Sequence, residues 1–307
     1  MRSKISLVQS EKSYAGIQKV LDLMKDDLKN ALSNVSSMAI KINLVITRTP
    51  RYSKGVEIAV TPLQAVKSYI DFVSPFYDKE IVIAEKSTWG KTKEGFEMYG
   101  FAELAEQNSQ IRLLDLKDDT TIHKTVEYPE GKLELPFSET MVEAPFLVSV
   151  VRPKTHCSVG VTAAIKNVVV GAINGTWKQR LQIHKPQYIH QILASLATIV
   201  YPTFSIIDST TAMEGNGPIR GTPINAGWAL ASFDALTADS LAIHLMGFCV
   251  NDIGYLKALK EQHFGLAYPN NKITIHGENP KDLITPFKPH RNFRKNPPNT
   301  KRRKTPH

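Results

Sequence analysis

Short runs rich in Val, Ile and Leu recur along this chain, and segments with helical spacing of apolar residues separate most of them. The strand-like runs are residues 4–8, 38–44, 80–84, 111–116, 146–151, 203–207, 227–233 and 272–276. Between them, residues 14–32, 62–73, 95–107, 162–173, 187–200, 235–246 and 253–263 read as helices. In 14–32, Ile17, Val20, Leu21, Met24, Leu28 and Leu32 share one helical face. Such alternation predicts an α/β fold, a mostly parallel sheet with helices on both faces. Residues 117–143 are short and turn-rich, either a hairpin excursion or the seam between two lobes.

The net charge of +9 points to nucleic acid only until it is located. Residues 286–307 hold eight Lys and Arg and no Asp or Glu, which leaves the rest nearly neutral. The chain therefore divides into a body, 1–285, and a basic tail, 286–307, expected to be disordered because it lacks an apolar period. Nucleic acid would bind only through that tail. No run approaches the roughly 20 apolar residues of a membrane span, and the amino end lacks a leader's apolar core, so a cytoplasmic protein is expected. Cys157 and Cys249 stand far apart, and neither has a Cys-x-x-Cys partner. An iron–sulfur cluster held by this chain alone is therefore not expected.

Ionisable residues gather where the strand-like runs end. Lys41 and Asn43 follow one run, Lys154 and His156 another, Asp208 and Glu214 a third, and Asp234 a fourth. Ligands of open α/β sheets bind outside the carboxyl ends of strands, so these ends predict one site. Lys154 and His156 alternate in an extended segment and point the same way. Lys166 sits in the apolar helix of 162–173, where it must snorkel, pair with a carboxylate or face a cavity; Asn167 beside it suits a carbonyl or phosphate. Gly215 and Gly217 allow close backbone approach to a ligand. Lys166, His156, Asp208 and Glu214 are the candidates for chemistry. Lys41, Asn43, Lys154, Asn167, Gly215, Gly217 and Asp234 are those for ligand contact. A divalent cation would fall to Asp208, Glu214 and His184. Each has a plainer reading: Asp234 as a helix cap, His184 as a surface residue, Lys154 as a solvated rim lysine.

Four ordered motifs, Arg152-Pro153-Lys154-Thr155-His156, Thr162-Ala163-Ala164-Ile165-Lys166-Asn167, Met213-Glu214-Gly215-Asn216-Gly217-Pro218 and residues 231–239, resemble the DUF362 family, a domain of unknown function. The likeness runs over roughly residues 38–265. Lys41-Ile42-Asn43 resembles the family's Lys-Pro-Asn with Ile42 in place of proline, and Thr61-Pro62 and Glu85 also fall in pattern. Some members carry a ferredoxin-like cysteine module, which this chain lacks. The resemblance implies a fold and a site but assigns no chemistry. The sequence favours an enzyme acting on a small anionic metabolite by acid/base or metal-assisted chemistry. A non-catalytic ligand- or partner-binding module comes second.

Overall fold

A computed structural model describes residues 2–47, 57–185 and 187–293. Its strands are β1 (Ser3–Gln9), β2 (Ser37–Lys41), β3 (Glu80–Glu85), β4 (Ile111–Asp115), β5 (Thr121–Tyr128), β6 (Gly131–Ser138), β7 (Leu147–Val151), β8 (Lys154–His156), β9 (Gly160–Thr162), β10 (Phe204–Ser209), β11 (Ala212–Glu214), β12 (Thr222–Ile224), β13 (Trp228–Ser232) and β14 (Ile273–Gly277). Its helices are α1 (Ser13–Asp22), α2 (Lys25–Leu32), α3 (Leu63–Val73), α4 (Thr92–Met98), α5 (Phe101–Glu106), α6 (Glu139–Glu143), α7 (Ala164–Gly171), α8 (Trp177–Ile183), α9 (Ile189–Leu196), α10 (Ala235–Leu245) and α11 (Gly254–Glu261).

Eight strands form the central sheet in the order β14-β1-β13-β10-β7-β2-β3-β4. Within it, β13 alone runs against the others. Because successive side chains of a strand face opposite ways, each central strand feeds two cores. Met38, Ile40, Ile81, Ile83, Val148 and Val150 pack under the face carrying α1 and α3. Ala39, Val82, Ala84, Leu147 and Val151 pack with α7, α9 and α10 on the other. The α/β fold with helices on both faces is thus what forms.

Local departures have local causes. Residues 14–32 make two helices, α1 and α2, and the break keeps Met24 buried beside Leu21 and Leu28. Residues 95–107 split into α4 and α5 at Gly100, whose φ of +80° is a left-handed conformation that glycine adopts freely. Within 117–143, β5 and β6 pair as an antiparallel hairpin. Its Val126, Leu135 and Phe137 join the core around α7 and α9.

A second sheet, β12-β11-β8-β9, stands on the carboxyl edge of the first. The chain enters it from β7 through Arg152 and Pro153, and from β10 through Thr210 and Thr211. The start of the basic stretch belongs to the body, not to a free tail. Phe287 and His290 are buried, Phe293 packs edge-on against Phe248, and the Lys288 carbonyl accepts the Gly215 N–H at 2.7 Å. Composition misses that boundary because the anchoring rings, the buried Phe287 and the partly buried Phe293, stand singly among polar residues and make no apolar period. Residues 294–307, and with them the nucleic-acid reading, lie outside the described residues, as do Arg48, Arg51 and Lys54. No described helix is long and apolar enough to cross a membrane.

Candidate functional site

Strand order places the site. From β2 the chain steps outward to β3 and β4, whereas β7 and β10 lie on the other side of β2. The order therefore reverses between β2 and β7, the position where open parallel sheets leave a crevice at their carboxyl ends. A cavity of about 320 Å³ opens there. Its lining comes from the ends of β2 (Lys41, Asn43) and β3 (Glu85, Lys86), from β8 (Lys154, His156), and from α7 (Lys166, Asn167) and α8 (Arg180) with His184. A smaller cavity of about 210 Å³ lies at the amino edge, beside Glu80 and Arg112, whose charges are paired at 2.7 Å.

Helix α7 is set against the sheet by polar contacts in its first turn. Its first N–H groups, those of Ala164 and Ile165, donate to the Asp239 carboxylate at 2.8 and 3.1 Å. Burial pushes that carboxyl up to about 7, against the pull of the two hydrogen bonds. Asn167 donates to the Lys41 carbonyl at 3.1 Å and to Ser149 Oγ at 3.2 Å, and accepts from Asn43 Nδ2 at 3.1 Å. Asn43 in turn accepts from Lys154 Nζ at 2.8 Å. The two asparagines thus hold the floor together, with most of their capacity spent on the protein.

Positive charge exceeds negative throughout the lining. Among the described residues Glu85 is the single carboxylate of the lining, and it is engaged: Oε2 accepts from Lys41 Nζ at 3.0 Å and Leu44 N at 2.8 Å, and Oε1 accepts from Lys86 N at 2.7 Å. Lys154 donates to Ala59 O at 2.5 Å, and Lys86 donates to Asn174 and Gly175. Lys166 is buried, yet its amine has no hydrogen bond or ion pair among the described residues. Among the described residues no carboxylate is paired with it; Arg180, Lys154, His156 and His184 are near enough to act on it electrostatically, and so is the Cys157 side chain. The Arg180 guanidinium has an unpartnered Nε and only long contacts, 3.4 and 3.5 Å, to Thr88 and Ile173. Burial drives the lysines toward neutrality, Lys154 down to about 7 and Lys166 and Lys86 to about 8. It lowers Lys41 too, against the charge of Glu85.

The two histidines are neutral and of opposite tautomer. Burial holds His156 well below its ordinary value and lowers His184. The Ser158 N–H donates to His156 Nδ1 at 3.1 Å, so the His156 proton resides on Nε2. His184 Nδ1 lies 2.7 Å from the Arg180 carbonyl, which only accepts, so its Nε2 keeps a lone pair. One ring offers a proton where the other can take one.

The cavity thus brings together Lys41, Asn43, Lys154, His156, Lys166, Asn167 and His184. It leaves out Asp208, Glu214 and Asp234. Asp208 is fully buried, accepting from Ser13 Oγ at 2.5 Å and from the Thr210 N–H and hydroxyl. Glu214 accepts from Lys288 N at 2.7 Å. Asp234 caps α10 and accepts from Leu266 N; since β13 runs in reverse, it ends on the opposite edge of the sheet. Asp208, Glu214 and His184 therefore form no common metal site. No group of three or more His, Cys, Asp or Glu among the described residues is placed to hold a metal ion. The glycine loop serves packing: Gly215 is tied to Thr155 and Lys288, and a side chain at Gly217 would collide with the Thr155 carbonyl. Only Pro218 of that loop reaches the cavity wall.

Glu85, Lys86 and Arg180 were not among the site residues expected from sequence. The strand-end rule finds the first two, since Glu85 closes β3 and Lys86 follows it. Arg180 lies on a helix turned toward the cavity and gives no comparable signal.

Comparison with known proteins bears on the same residues. Residues 38–244 match the family model described as a domain of unknown function, DUF362, and the chain belongs to that family. A thylakoid-associated protein of Synechocystis is similar, 24% identical over 192 residues that make up 59% of this chain and 58% of that protein. The chain thus spans under two thirds of that curated relative. Among solved structures, the lactate racemase apoprotein from Thermoanaerobacterium thermosaccharolyticum aligns over 80% of this chain and 57% of its own, at 15% identity and a TM-score of 0.46. A Thermotoga maritima protein from a structural genomics programme aligns over 74% and 56%, at 11% identity and a TM-score of 0.40.

Proposed function

We propose that this protein is an enzyme that binds a small anionic metabolite, bearing phosphate or carboxylate, in the cavity at the carboxyl edge of β2 and β3 and acts on it by proton transfer. The observation that carries the reading is Lys166, a buried amine without a partner among the described residues, in a cavity whose one described carboxylate is already engaged. A buried ammonium without a counter-charge is costly, and a bound anion supplies that charge. Arg180, with its unpartnered Nε, offers a second donor. His184 Nε2 suits a general base and His156 Nε2–H a donor, the division of roles that acid–base chemistry needs. Both cysteines are free thiols, which fits a cytoplasmic, reducing setting.

The test is incubation of the purified protein with a metabolite extract, followed by mass spectrometry. One anion should be depleted and one product should appear with the native protein, and neither with Lys166→Met or His184→Gln. An anion retained but unchanged would make the protein a binding module. No anion retained, with Lys166→Met indistinguishable from the native protein, would overturn the site itself.

A further inference from the structure

Trp89 and Leu181 are two of the six large hydrophobic side chains exposed among the described residues, at 43% and 49%, and both line this same cavity. Neither sits on a slack segment. The Trp89 N–H donates to the Val45 carbonyl at 3.1 Å, and its own carbonyl accepts the Thr47 N–H at 2.9 Å. Leu181 lies on α8, whose first turn is closed by a capping box between Thr176 and Gln179. Val45, Val170 and Pro218 continue the apolar lining.

Isolated exposed apolar residues are ordinary; two of them fixed on the rim of one cationic cavity call for something that covers them. The volume argues the same way. At about 320 Å³ the cavity is roughly ten times the liquid share of one water, so a bare phosphate or acetate leaves most of it unfilled. We infer that the ligand is an amphipathic anion, with a phosphate or carboxylate head on Lys166 and Arg180 and an apolar, preferably planar, body against Trp89 and Leu181. This rests on the anion reading of the cavity and adds what the remainder of the ligand must be.

Calorimetric titration with two matched pairs of probes separates the parts: inorganic phosphate against phenyl phosphate, and acetate against benzoate. Within at least one pair the aromatic member should bind about tenfold tighter or better, the worth of roughly 60 Å² of apolar surface. The pair that shows it identifies the head group. Trp89→Ala with Leu181→Ala should abolish that difference and leave the simple anion's affinity within about twofold. Lys166→Met should weaken both members of the pair. If aromatic and simple members bind alike in the native protein, or the double variant keeps the difference, the amphipathic ligand is refuted while the anion site stands. If no probe binds, or Lys166→Met binds all of them unchanged, the anion site falls and the inference with it.

Discussion

The alkyl stem of Lys41 fills the space that a side chain at Gly171 would need; a Cβ there would lie well inside van der Waals contact of Lys41 Cε. A glycine in the last turn of α7 is thus the condition for a fully buried lysine at the end of β2. Gly171→Ala should force the stem aside, at the roughly 1–3 kcal/mol typical of overpacking. Chemical denaturation should read that loss, with a fall in anion affinity as the Lys41–Glu85 pair shifts.

That pair yields a second expectation. Both partners are almost wholly buried, at 1% and 5% side-chain exposure. Glu85→Gln leaves an uncompensated ammonium and should destabilise by about 3–5 kcal/mol. Adding Lys41→Met should recover part of it. Urea unfolding of the two single variants and the double variant measures the coupling, and strict additivity would mean that the pair contributes nothing.

Anion affinity should depend on pH through Lys166. Burial holds its amine at about 8, and a bound anion favours the ammonium, so the pKa rises in the complex. Below pH 8 the amine is already charged and affinity is full. Above pH 8 binding must take up a proton, and affinity should fall about tenfold per pH unit until the pKa of the complex is reached. Lys166→Met should flatten this slope. A fall that starts near pH 7 would instead assign the anion to Lys154, held at about 7.

The tautomers can be read directly. Nitrogen-15 spectra should show His156 protonated at Nε2 and His184 at Nδ1 across neutral pH. Finding His184 protonated at Nε2 would remove it as a base.

Asp208→Asn and Glu214→Gln should leave anion affinity within about twofold. Their carboxylates are occupied by Ser13 and Thr210 and by Lys288. Asp208→Asn should still lower stability, since buried hydrogen bonds to a charged group are each worth about 1.5–3 kcal/mol. A large affinity loss in a fully folded Glu214→Gln would return that residue to the site.

The outline of the fold was legible because a parallel strand buried on both faces reads as a continuous apolar run. Lys154, His156 and Lys166 were legible for a related reason, being polar groups in otherwise apolar surroundings. Strand direction was not. Nothing in the period of Trp228–Ser232 tells that β13 runs backward, and on that direction hangs the edge at which Asp234 emerges. Asp208 misled differently: it does close a forward strand, but Ser13, far away in sequence, takes its carboxylate. Trp89 and Arg180 enter the site only through the folding of Ile46 against Trp89 and of α8 over the crevice, contacts that leave no local trace.

The surplus of positive charge around Glu85 also bears on handling. On the proposed reading a crevice of this charge would also take up small anions from solution, so phosphate, sulfate or citrate in a preparation would compete with the ligand. Affinities measured in such buffers would understate the native one by the occupancy of the buffer ion. An exchange into a low-ionic-strength solution of a bulky, cationic buffering species should precede every titration, and a rise in melting temperature on adding phosphate back would itself support the anion site.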